Sequence, residues 1–263
     1  MYEWNAEDYA GHSRGQEVFA RELLASLDLR PDDEVLDIGS GDGRMTAIIA
    51  EQVPRGRVVG VDSSPDMVRH ARAAFVGRER PNLTFLQADA SALPFDSQFS
   101  VVYSSAVLHW VVDHQPVLAG ITRALRPAGR LIAQMGGHGN VVTMITAMQT
   151  VARRGQWAAA FEKFDSPYTF HRADDYERWL RAAGLEVLEA RLVPKDMVHA
   201  DREAFVGWIR SAWHPYTARV AAAERGRFIE EAADEYLAAH PPDASGAVHV
   251  PMVRLQVRAL KPA

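Results

Sequence analysis

From position 33 onward, short apolar runs rich in β-branched residues alternate with longer segments of helical period, the pattern of a mostly parallel α/β sheet. Five such runs lie in the first half, at 34–38 (EVLDI), 57–62 (RVVGVD), 83–87 (LTFLQ), 99–104 (FSVVYS) and 130–135 (RLIAQM). Each has the length of a buried strand. Helical segments are predicted near 44–53, 65–75 and 114–126, the last of them stopped by Pro127 and Gly129, which turn the chain into the fifth strand.

A further helix is predicted over 174–184, with Asp174 near its N-cap and Gly184 at its stop, followed by a strand at 185–193. The last strand, 252–260, reads differently. Val253, Leu255, Val257 and Ala259 alternate with Arg254, Gln256 and Arg258, the period of a half-exposed strand, so an antiparallel pairing is predicted at that end. Two stretches, 139–170 and 198–246, fit no minimal strand–helix repeat. In the second, Phe205, Trp208, Ile209 and Trp213 recur at helical spacing, and 216–239 continues as a long Ala/Glu-rich helix. A helical cap that forms the substrate pocket is the expected outcome, leaving 1–138, 171–197 and 247–263 to the sheet domain and HPPDASG at 240–246 as a flexible loop.

Composition narrows the function. The chain has 263 residues, 48% hydrophobic and 24% charged, enough for a full core. A formal net charge of −5 provides no global basic field, so nucleic acid is not an expected partner. The absence of cysteine excludes disulfides, thiolate metal sites and cysteine nucleophiles. The start, MYEWNAEDYAGHSRGQ, is acidic where a signal peptide would be basic and then apolar, and no 18-residue apolar stretch occurs, so a cytoplasmic protein with no membrane partner is expected. The ten histidines show no HExxH or similar spacing, and no metal is expected. Oligomeric state is not legible.

The strongest local motif is VLDIGSGDG at 35–43, a strand running into a turn with Gly39, Gly41 and Gly43 and then a helix. Glycines there allow positive φ and bring a ligand close to N–H groups at the helix start. A dinucleotide site needs a further glycine at position 44, where Arg44 stands, so a nucleoside with a small polar tail is favoured over NAD. Asp62 ends the second strand, 21 residues after Gly41, where a carboxylate can accept from both ribose hydroxyls; it can equally cap the next helix. Asp89 follows the third strand, placed to accept from an adenine amino group while the Ala90 N–H meets a ring nitrogen. Together these put three contacts at the C-terminal edges of successive strands, where open α/β sheets bind ligands.

On VLDIGSGDG, GVDSSPDM (60–67), QADASALPF (87–95) and the RPAGRL turn (126–131), in that order, the chain resembles the class I S-adenosylmethionine-dependent methyltransferases. The resemblance implies a Rossmann-like fold, doubly wound, with a mostly parallel seven-stranded sheet containing one antiparallel strand. It also implies S-adenosylmethionine as cofactor. Asp37, Gly39, Ser40 and Gly41 would then line the methionine end, Asp62 and Ser63 the ribose, Met67 (or simply the core of its helix), Asp89 and Ala90 the adenine, with Ser104 completing the set.

The amino-methylase motif Asn/Asp-Pro-Pro-aromatic is missing after the fourth strand. SSAVLHWVVDH resembles instead the trans-aconitate and juvenile-hormone-acid methyltransferase branches, which esterify small carboxylic acids. EWN…Y near 3–9, QMGGHGN at 134–140, FVGWIR at 205–210 and VPMVRLQVRAL are similar to the first branch; Tyr9, Gln16 and the Leu-His-Trp triplet to the second. By that likeness Gln16 and Trp110 would orient the carboxylate of a small-molecule acid. His109 stands as either a base or a packed side chain. As a base it would suit an amine or phenol acceptor, which must lose a proton; a carboxylate is already ionised. Arg172, His138, Arg210 and His214 are the candidates to neutralise a second carboxylate. The rival class, a nucleotide-cofactor oxidoreductase or a plain nucleoside-binding module, lacks a hydride-transfer constellation and a use for the cap.

Overall fold

The computed structural model describes residues 14–77 and 79–263. Seven strands, β1 (Glu34–Ile38), β2 (Arg57–Asp62), β3 (Leu83–Gln87), β4 (Phe99–Ser105), β5 (Leu125–Gly136), β6 (Glu186–His199) and β7 (Val248–Leu260), form one sheet in the order β3-β2-β1-β4-β5-β7-β6. The first five are parallel, and β7 runs antiparallel to both β5 and β6. Strand order reverses between β1 and β4, which opens a crevice at their C-terminal ends.

The near-continuous apolar runs of β1, β2 and β4 follow from cover on both faces. Successive residues feed opposite cores. Val35, Val58, Val101 and Tyr103 pack with α1 (Arg14–Ala25), α2 (Arg44–Gln52) and α3 (Pro65–Phe75). Leu36, Val59 and Val102 pack with α4 (His114–Ala124) and, around Tyr176 and Leu180, with α6 (Ala173–Ala182); α5 (Val142–Ala152) lies between the two in sequence. A third cluster joins Met144, Met148 and Val151 of α5 to Phe205 and Ile209 of α7 (Arg202–Ala212), Phe228 and Tyr236 of α8 (Arg225–Ala239), and Met197, Val248 and Val250 of the β6–β7 ribbon.

The boundaries differ from the sequence reading in informative places. Helix α4 ends at Ala124, not 126, because Arg126 precedes a proline and is pushed out of the helical region; Leu125 already pairs with Phe99. Helix α6 begins at Ala173 after Arg172, so Asp174 sits in its first turn, favourably placed for the helix dipole, and is not its cap. The expected helix over 216–239 is broken: one turn at His214–Thr217 precedes α8. Strands β6 and β7 outrun their predicted ends at 193 and 252. Pairing with β5 stops at Gly136↔Arg254, whereas β6 and β7 pair on to His199↔Val248. Beyond Gly136 the β7 strand has one partner instead of two, and a strand with an open edge tolerates Pro251.

Candidate active site

The crevice holds a cavity of about 420 Å³, within the range of small-molecule sites. Its floor is the turn after β1. Gly39, Gly41 and Gly43 all have positive φ, of 76°, 53° and 87°. A Cβ on Gly39 would collide with Val107, and one on Gly43 would come within 2.8 Å of Ala71 and Phe85, so these two glycines set how closely the loop approaches its neighbours.

The loop's amides, expected to face the ligand, are largely engaged by the chain itself. Gly39 and Ser40 donate to the Val61 carbonyl (2.7 and 3.0 Å), Gly41 to Asp62 Oδ2 (3.0 Å) and Gly43 to the Ser40 carbonyl (3.0 Å). At the start of α2, Arg44 N donates to Asp42 Oδ1, and the Arg44 side chain pairs with Asp42 at 2.7 Å. A carboxylate of the chain thus sits where a dinucleotide fold would receive a pyrophosphate.

What the floor presents is acidic. Asp37 is buried, accepts from the Thr46 hydroxyl at 2.7 Å, and has no ion-pair partner among the described residues. Burial pushes its carboxyl up from 3.8 to about 7 against the Thr46 hydrogen bond, with the nearby Asp62 charge adding to the rise. Asp62 takes N–H donors on both oxygens, Gly41 on one and Ser64 on the other (2.9 Å). Burial raises its carboxyl, opposed by the amides of Ser64, Gly41 and Ser63. Ser40 Oγ is buried without a hydrogen-bond partner among the described residues. A buried carboxylate with one hydroxyl donor, a second held by backbone amides alone and an orphan hydroxyl fit a ligand bearing a cationic tail and hydroxyl donors, the character of S-adenosylmethionine.

Ser63, Met67, Asp89 and Ala90 line the same cavity. Met67 is also buried beneath α3, so the core and ligand readings coincide. Asp89 Oδ1 caps the turn that follows, accepting from Ser91 N and Oγ (2.8 and 2.7 Å), and leaves Oδ2 available. Ser104 is a correction. It is fully buried, donates its hydroxyl to the Ile38 carbonyl (2.9 Å) and does not line the cavity: along β4 its neighbours Tyr103 and Ser105 do. Sequence alone cannot choose between alternate residues of a strand end unless the register is known.

After β4 the chain turns through Ala106, at φ 60°, into a short helical turn, Leu108–Trp110. Trp110 lines the cavity there, and Ala20 of α1 also lines it. The Gln16 side chain and Tyr9 lie outside the described residues. His109 is turned away from the first cavity into a second of about 80 Å³, which shares Ala106 and Trp110 with the first. Its Nδ1 accepts from Gly136 N at 3.3 Å. Burial, then the Arg254 charge and His114, lower its pKa from 6.5 to about 3. Both the direction of this shift and the hydrogen bond already held at Nδ1 run against a role as proton acceptor.

The second cavity is lined by Asn140, Tyr168, Phe170, Trp208 and Trp213, from the two segments the sequence reading set apart from the sheet, and by Met252 and Arg254 of β7, which it gave only to a half-exposed strand. Arg254 is only 3% exposed, although strand alternation put it on an exposed face. Of the four basic residues singled out for a second carboxylate, His138 and Arg210 are exposed, Arg172 pairs with Asp174 at 3.5 Å, and none of these three, nor His214, lines either cavity. Among the described residues there is no cluster suited to a metal and no helix long and apolar enough to cross a membrane.

Comparison with known proteins agrees with this geometry. The family described as methyltransferase domain matches residues 36–133. A trans-aconitate 2-methyltransferase of Azoarcus sp. (strain BH72) is 30% identical over 99% of this chain and 100% of its own. An uncharacterized methyltransferase of Schizosaccharomyces pombe is 35% identical over 70% of this chain and 71% of its own. Among solved structures, the Haemonchus contortus phosphoethanolamine N-methyltransferase 2, bound to S-adenosylhomocysteine, superposes with a TM-score of 0.59 at 18% identity, covering 94% of this chain and 53% of that one, which is a likeness of fold.

Proposed function

Because the chain belongs to the class I S-adenosylmethionine-dependent methyltransferases, we propose that it methylates a carboxylate of a small-molecule acid, giving a methyl ester. The observation that carries this reading is His109: the histidine beside the acceptor end has its pKa lowered to about 3, so an amine or phenol would find no effective base in it. A carboxylate needs none. The trans-aconitate 2-methyltransferases, related over the whole chain, are named for such an acceptor.

The cofactor supplies an electrophilic methyl group on a sulfonium. The chain's part is to bind and align. In this reading Asp62 accepts from the ribose hydroxyls with the lone pairs its amide donors leave, Asp89 Oδ2 accepts from the adenine amino group near the Ala90 amide, and Met67 packs on the ring. Ser63 flanks the ribose. Asp37, Gly39, Ser40 and Gly41 face the cationic tail. Trp110, with Gln16, holds the acceptor carboxylate through neutral donors, which fix an anion while withdrawing less electron density than an arginine pair. Segments 139–170 and 198–246, with the end of the β6–β7 ribbon, form the cap over the acceptor and keep water from it.

The test is a radiolabelled methyl-transfer screen over monocarboxylic, fatty, aromatic and polycarboxylic acids, with amines and phenols in parallel. Label is expected in a product that releases methanol in mild alkali. Label confined to base-stable amine or phenol products would overturn the carboxylate reading.

A further inference from the structure

The turn that carries Trp110 is closed by Trp110 N donating to the Val107 carbonyl (2.9 Å) and Val111 N to the Leu108 carbonyl (3.0 Å). So short a turn does not hold its own shape. The carbonyls on either side of Trp110, those of His109 and Val111, are both taken by one residue distant in sequence. Thr169 N donates to the His109 carbonyl at 2.9 Å, and the Thr169 hydroxyl lies 2.8 Å from the Val111 carbonyl and 3.1 Å from that of His109.

Thr169 is itself held from two directions. Its neighbour His171 pairs with Gly137 just beyond β5, and His138 N donates to the His171 carbonyl at 2.9 Å, which ties the segment to the sheet. From the other direction His114, the first residue of α4, brings Nε2 to 3.3 Å from the Thr169 hydroxyl and Nδ1 to 3.1 Å from the Tyr176 hydroxyl of α6. The Thr169 hydroxyl has a single proton and its carbonyl partners take it, so Nε2 is the donor whatever the charge of the ring. Burial, then the neighbouring His171, lower the His114 pKa from 6.5 to about 4, which favours the uncharged ring and leaves Nδ1 to accept from Tyr176. The bonds run one way, from Tyr176 through His114 and Thr169 to the backbone of the turn. Tyr176 is fully buried, so the chain of bonds starts from a fixed point.

Thr169 and His114 line neither cavity, whereas Trp110 lines both. Any influence of the pair on transfer has to pass through the turn. That influence is large where geometry is decisive, since a misplacement of about 1 Å can cost about a hundredfold in rate. We propose that Thr169 and His114 are positioning residues for methyl transfer, whose hydrogen bonds to the turn hold Trp110 in its place beside the transfer position. The inference rests on the role given to Trp110 above.

The experiment labels the full chain with 5-fluorotryptophan, saturates it with S-adenosylhomocysteine and follows the Trp110 fluorine resonance, assigned from Trp110→Phe. Thr169→Val deletes the hydroxyl at nearly constant volume, and Thr169→Ser keeps it. The first should shift or broaden the Trp110 resonance and the second restore it, while an unmoved Trp157 resonance reports that the cluster of α5, α7 and α8 is intact. His114→Phe should act as Thr169→Val does, and His114→Gln, whose amide can both donate to Thr169 and accept from Tyr176, should disturb Trp110 less. In transfer assays with an acid found by the screen above, Thr169→Val should lower kcat by about tenfold, with most of the rate recovered in Thr169→Ser. A Trp110 resonance that stays in place in Thr169→Val, or a loss of kcat that Thr169→Ser does not recover, would overturn the proposal. Its failure and that of its premise differ in outcome. Transfer confined to amines or phenols, still slowed by Thr169→Val, refutes ester formation and leaves the positioning role standing; acids methylated at an unchanged kcat in Thr169→Val do the reverse.

Discussion

Asp37, the penultimate residue of β1, is a buried carboxylate with a single hydroxyl donor, and its carboxyl is pushed up to about 7. A cationic ligand reverses that penalty by favouring the ionised form, so binding must be linked to proton release. S-adenosylmethionine affinity should therefore rise with pH, by up to about tenfold per unit below pH 7, and level off above it. In the free protein the sign is opposite: the folded state keeps a proton that the unfolded chain loses above pH 4, so this group lowers stability as pH climbs from about 4 to 7. Calorimetry from pH 5.5 to 8.5 in buffers of differing ionisation enthalpy would reveal the proton, and Asp37→Asn should remove most of the slope. Asp62 plays a different part, since its two oxygens already tie Gly41 and Ser64. Asp62→Ala should weaken cofactor binding by about 1–3 kcal/mol, because it removes the acceptors proposed for the ribose and also frees the loop. Wild-type affinity in that variant would exclude Asp62 from the site.

Among elements, the glycine turn and the Leu108–Trp110 turn act as one unit, since Gly39 lies against Val107. Gly39→Ala must both strain a positive φ and displace Val107, and with it the turn that carries Trp110; Gly41→Ala meets no atom within 4 Å and bears only the backbone strain. The first should lower stability by several kcal/mol and lose cofactor binding, the second by about 1 kcal/mol. Thermal shift on the two variants checks the order; equal losses would mean that close approach to Val107 is unimportant. These elements also show what a sequence can and cannot convey. The strand–glycine turn–helix and the placement of Asp62 and Asp89 on the cavity were legible because parallel strands buried on both faces leave continuous apolar runs, and the ends of those runs line the crevice. Ser104 misled because both serines end the same run and only the register separates them. Arg254 was unreadable because alternation in β7 assumes one solvated face throughout, and beyond Gly136↔Arg254 the strand leaves β5 and packs against the cluster of α5, α7 and α8.

At the scale of the molecule, that change of surroundings decides how the cap and the sheet share stability. Leu255, Val257 and Ala259 of β7 belong to the core beneath the sheet, while Val248, Val250 and Met252 of the same strand belong to the core of α5, α7 and α8. One continuous strand thus enters both cores, and neither can lose its packing without releasing the other's strand. The tryptophans make this measurable: with Trp4, Trp110 and Trp179 replaced by Phe, the remaining three of the chain's six, Trp157, Trp208 and Trp213, are buried in the core of α5, α7 and α8, whereas far-ultraviolet circular dichroism reports on helices and strands throughout. Denaturant unfolding followed by fluorescence and by dichroism should give superimposable transitions, and S-adenosylhomocysteine, which engages the sheet edge, should move both midpoints equally. Val250→Ala, a deletion inside the cap core, should lower both together by about 1–3 kcal/mol. A fluorescence transition that precedes the dichroism and ignores the cofactor would mean that the cap opens on its own, and the shared strand would then be a hinge between two independently stable parts.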